Sequence, residues 1–81
     1  MVVGVGLKPS PQQTLGRNVD RSRMGMEMIQ ETLALTADPD RRHVQRIERG
    51  TANPGIAVLA RLKMALACTW EDLMGKWPVY C

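Results

Sequence analysis

Three residues, Asp38-Pro39-Asp40, constrain this chain more than any others. Pro39 has no N–H to continue a helix, and it biases Asp38 away from helical geometry. Before the break, Ile29, Leu33 and Ala37 recur every four residues, the apolar stripe of a helix expected from about Ile29 to Ala37. After it, Val44 and Ile47 lie three apart inside "RRHVQRIERG", and Gly50 is positioned to stop a helix expected from Arg41 to Arg49. Asp40 is a good N-cap for that second helix, because a carboxylate accepts the unpaired N–H groups and is favoured by the helix dipole. Two short helices so closely joined must cross steeply. Ala34 is the small residue that lets them approach.

The flanking segments carry similar punctuation. Residues 1–9 read as a flexible arm, with Gly4, Gly6 and Pro9 interrupting a short apolar stretch that lacks the spacing of a phosphate loop. Ser10, Pro11 and Gln13 form the signature of a capped start, so a first helix is expected from about Pro11 to Met24, with Leu15 and Val19 inward and Gly25 as its stop. "TANPG" is a turn, and a fourth helix is expected from about Gly55 to Ala67 with Ile56, Leu59, Leu62 and Leu66 inward. Thr69 to Asp72 resembles another capped start, for a short helix that reaches about Met74 before Gly75. With no convincing strand and no internal repeat, the expectation is an all-α, compact five-helix bundle. Residues 10–76 form its domain and residues 77–81 a tail, and a length of 81 residues fits one such domain.

Composition excludes several classes of function. Cys68 and Cys81 are the only cysteines and His43 the only histidine, so no metal-ligand spacing exists and no cofactor is expected. No acid–base pair or nucleophile dyad can be assembled, which argues against an enzyme. No apolar run approaches the ~20 residues of a membrane span, and "MVVGVGL" lacks the features of a signal segment. The expected location is cytoplasmic, where thiols stay reduced. Net charge is only +3, but Arg41, Arg42, Arg46 and Arg49 face a single Glu48 within nine residues.

On a helical wheel Val44 and Ile47 point one way, while Arg42, Gln45, Arg46 and Arg49 point the other. A helix so built can rest on a core and push long donors outward. An α-helix fits the major groove of B-DNA, where Arg donates two bonds to guanine and Gln pairs similarly with adenine.

The stretch "IQETLALTADPDRRHVQRIERGTANPGIAVLARLKMALACTWEDLM" resembles the helix-turn-helix domains of the phage repressor and Cro type, the XRE-like family. The resemblance spans about residues 15–74 without a gap. Gln30, Leu33, Ala34, Ala37, Val44, "IERG", Asn53-Pro54, Leu59 and Leu66 fall in register, as do Leu15-Gly16, Val19 and Arg23. It implies that the third helix is the recognition helix, with Arg41, Arg42 and Arg46 toward base edges and Gln45 beside them. It implies that Gln30 bonds a phosphate, that Thr51 and Asn53 lie along the sugar-phosphate backbone, and that Arg23 and Glu48 form an ion pair. Arg49 is a further candidate for DNA, although a cation is favoured at a helix C-terminus in any case. Asp38 and Pro39 depart from the family's turn, Ile29 stands where Ser or Thr usually caps, and Glu27 replaces a Gly. Ser22 and Lys63 also depart, and Leu35 falls on a surface position.

The implied function is sequence-specific binding of double-stranded DNA by a transcription regulator, a repressor by preference. The alternative is a protein-interaction module of the same fold, such as an antitoxin acting through a partner toxin. One recognition helix reads few base pairs, so a homodimer on a two-fold site is expected. Trp77, Val79 and Tyr80 supply apolar surface beyond what one small domain end can bury, and are the expected dimer contacts.

Overall fold

Three of the five helices start where a side chain accepts a backbone N–H. In the computed structural model, which describes residues 10–37 and 40–75, helix α1 spans Pro11–Gly25. Ser10 Oγ accepts from the Gln13 N–H at 3.1 Å and Gln13 Oε1 accepts from the Ser10 N–H at 2.9 Å, a reciprocal capping box. Helix α2 is Gln30–Ala37, α3 is Arg41–Arg49, α4 is Ile56–Ala65 and α5 is Trp70–Met74. Asp40 Oδ1 caps α3 by accepting from the His43 N–H at 2.9 Å. That bond is the main reason its carboxyl is held below its ordinary value. Thr69 and Asp72 cap α5 reciprocally, at 3.0 and 3.2 Å.

The helix ends differ more from expectation. Helix α1 includes Gly25, and the left-handed residue that turns the chain is Glu27, at φ 56°. The Met28 N–H donates to the Arg23 carbonyl at 3.1 Å and the Glu27 N–H to the Met24 carbonyl at 2.9 Å. This is a Schellman closure, built without glycine at its left-handed position. Helix α4 closes in the same way around Ala67, at φ 50°, two residues past its last helical residue. Helices α3 and α5 close on glycines, Gly50 and Gly75, each at φ 80°.

Two residues expected to face inward do not. Ile29 is 62% exposed and stands ahead of α2, its carbonyl accepting from the Leu33 N–H at 3.1 Å. It occupies the capping position with a side chain that accepts nothing, so it is not part of the apolar stripe. Ile56 begins α4 and is 72% exposed, because the first turn projects beyond the core.

The core is drawn from all five helices. Val19, Leu33, Val44, Leu62 and Leu73 are fully buried, with Ile47 and Ala37 almost so. Helix α1 packs on α3 and α5, and α2 packs on α3 and α4. Two small or polar residues of α1 hold this arrangement. A Cβ on Gly16 would strike the backbone carbonyl oxygens of Ile47 and Glu48, the latter at 2.7 Å, so α1 crosses the end of α3 at a distance only glycine allows. Asn18 is buried on α1, and its Nδ2 donates to the Leu73 carbonyl at 3.0 Å, joining α1 to α5. Cys68 is half-buried at the edge of the core, where burial raises its thiol above the ordinary value. Among the described residues, no helix is long and apolar enough to cross a membrane.

Candidate nucleic-acid interface

Helix α3 is two-sided. Val44 is fully buried and Ile47 is 1% exposed, which fixes the rotation of the helix against α1 and α2. That rotation leaves Arg41, Arg42, Arg46 and Arg49 exposed and Gln45 half-buried. Among the described residues, no carboxylate pairs with any of these four arginines. Asp40, Arg41, Arg42 and Gln45 line an open concavity of about 480 Å³ at the start of the helix. The surface is therefore a row of donors, with the Asp40 carboxylate near Arg42, on a helix whose other face is locked.

The one acidic residue of α3 is turned away from this row. Glu48 Oε2 accepts from Arg23 Nε at 2.8 Å, and Oε1 accepts from Arg23 Nη2 at 3.3 Å. The two side chains are 7% and 13% exposed. Arg23 also donates to the Met28 carbonyl at 2.6 Å and to Asp20 Oδ1 at 2.8 Å, so its guanidinium is satisfied on three sides. The hydrogen bond to Glu48 is the main reason its pKa is raised. Gln30 joins the same cluster, its Nε2 donating to Glu48 Oε1 at 2.8 Å.

The loop after α3 keeps Thr51 and Asn53 exposed, with Thr51 Oγ1 donating to the Arg46 carbonyl at 3.2 Å. Gln30 and Thr51 thus reach the last turns of α3, while Arg41, Arg42 and Gln45 line its start. Trp77, Val79 and Tyr80 lie outside the described residues, as do Asp38 and Pro39.

Two solved structures are similar to this chain. The restriction-modification controller protein C.AhdI from Aeromonas hydrophila matches with a TM-score of 0.73 and 29% sequence identity, over 76% of this chain and 94% of that one. A point mutant of the restriction-modification controller protein C.Esp1396I matches with a TM-score of 0.71 and 25% identity, over 78% of this chain and 81% of that one. The chain has the helix-turn-helix fold of the phage repressor and Cro type. No protein-family model and no curated protein matches the sequence. In this helix-turn-helix domain α2 and α3 form the motif. Asn18 and Gly16 are the residues that sequence reasoning left without a role. Gly16 fell in register with the family's first helix but its packing role did not show, since it meets only backbone, and Asn18 had no signature because it bonds a carbonyl 55 residues away.

Proposed function

We propose that the helix-turn-helix domain binds a specific duplex DNA site as a homodimer and regulates transcription by occupying it, with α3 in the major groove. The observation that carries this reading is the two-sidedness of α3, in which buried Val44 and Ile47 hold at the surface four arginines that make no ion pair among the described residues, with half-buried Gln45 beside them. Arg42 and Arg46 are assigned to base edges, and Gln30, Thr51 and Asn53 to the backbone. The likeness to two restriction-modification controller proteins supports the same role here, in control of such a gene set. Selection of bound sites from random duplex DNA tests it. Enrichment of a two-fold-related motif is the expected outcome, and recovery of no motif refutes it.

A second reading is a module that binds a protein partner. It is supported by Leu35 and Met64, exposed at 82% and 78%. Ionic strength separates the two, because phosphate contacts release counterions and make affinity fall steeply with salt.

A further inference from the structure

The hydrogen bond between Gln30 and Glu48 links the start of α2 to the last turn of α3. Resting on the DNA-binding reading above, we infer that Glu48 is a positioning residue for DNA: it fixes the Gln30 amide so that one N–H remains to donate to a backbone phosphate.

An ionised carboxylate has acceptors only, so the amide edge that faces Glu48 must be Nε2. One of its two hydrogens is used in the 2.8 Å bond to Oε1. Among the described residues the amide makes no other hydrogen bond, which leaves the second hydrogen of the same nitrogen for a ligand. Without Glu48 either face of the amide can turn toward the DNA, and one of them offers an acceptor that a phosphate rejects.

Glu48 can do this because it is itself immobile. Both its oxygens are held by Arg23, and Arg23 is tied to Asp20 and to the Met28 carbonyl. Charge fits as well. A lone carboxylate beside a phosphate site would repel the DNA, but here the guanidinium contacts both oxygens and neutralises it. The Arg23–Glu48 pair thus gives Gln30 a fixed direction without itself adding net negative charge. It also ties a phosphate contact on α2 to the seating of α3, since Glu48 belongs to the recognition helix.

Glu48→Gln isolates the effect. Its single remaining oxygen goes to the charged donor Arg23, and its new NH2 group faces Gln30 Nε2. Gln30 must then flip, and its donor moves to where its oxygen had been. Affinity for the selected duplex is measured by fluorescence anisotropy for the full chain, Gln30→Ala, Glu48→Gln and the double variant. Each single change is expected to weaken binding by about tenfold, the loss of one hydrogen bond to a charged group, and the double variant by no more than about twofold beyond Gln30→Ala. Equal losses from Glu48→Gln in both backgrounds overturn the inference, since Glu48 would then act only through α3. A selected duplex whose affinity ignores Gln30→Ala overturns it while leaving DNA binding intact; failure to select any duplex overturns the broader reading instead. Should Glu48→Gln fail to fold, side-chain amide resonances of Gln30 in the unsubstituted chain decide. Addition of duplex is expected to shift the Nε2 protons while the bond to Glu48 persists, and an unshifted pair or a lost bond overturns the inference.

Discussion

Gly16→Ala tests how closely α1 and α3 are required to pack. The added methyl would lie 2.7 Å from the Glu48 carbonyl oxygen and nearer still to that of Ile47, against ordinary contact beginning at 3.4 Å. Both obstacles are backbone, so no side chain can swing aside, and the helices must part by roughly 0.7 Å or more. A gap of that size forfeits about a quarter to a half of the dispersion attraction across it. Overpacking of this kind costs about 3 kcal/mol at its upper end, while Ala in place of Gly returns about 1 kcal/mol of helix propensity. The net loss is about 2 kcal/mol, equivalent to roughly 8 to 16 °C in the thermal midpoint of a domain this small. Gly25→Ala supplies the control, because a Cβ there meets nothing within 4 Å in the same helix. It should raise the midpoint through propensity alone. Circular dichroism melts of both variants decide the matter. A Gly16→Ala midpoint equal to or above that of the parent refutes the close-packing argument.

Arg42→Ala and Arg46→Ala should each cost about 1 to 3 kcal/mol on the preferred duplex and relax preference at one base position. Uniform weakening over all sequences in a competition assay would reassign them to phosphates. Glu48→Gln removes the charge partner of an Arg23 that keeps Asp20 and the Met28 carbonyl, so a loss of about 2 to 3 kcal/mol in denaturant unfolding is expected; an unchanged midpoint would show the pair to be idle. Asp40 has a folded pKa below its ordinary 3.8, so its cap supports the fold fully above that value and is lost as pH falls through the lower one. Asp40→Asn retains a capping oxygen but not the titration, and acid melts should show a shallower pH dependence; identical curves would deny the cap a role. Sedimentation of the full chain and of a version ending at Lys76 tests pairing through the tail. A full-length monomer at tens of micromolar, or a truncated form that pairs equally well, counts against it.

Helix starts were legible because they are written in side chains: Ser10 with Gln13, Asp40, and Thr69 with Asp72 each announce the N–H groups they satisfy. Two ends were not, because Glu27 and Ala67 adopt left-handed geometry that their residue types do not advertise. Periodicity placed Val44 and Ile47 correctly and misplaced Ile29 and Ile56. A stripe of apolar residues does not reveal where its first member leaves the helix. The pairing of Arg23 with Glu48 came from resemblance. Gln30's bond to that pair did not, because it depends on how α2 is seated against α3.

The length of α3 bears on how selective any one chain can be. Nine residues rise about 13 Å, the height of roughly four base pairs. Four fully specified base pairs carry about 8 bits of information, whereas singling out one address among about a million competing sites takes about 20. A single chain read perfectly would still match some thousands of places. Two copies on fixed half-sites reach about 16 bits and four reach about 32. Address length is therefore set by how many copies sit side by side, and a small chain gains selectivity by repetition of one short word.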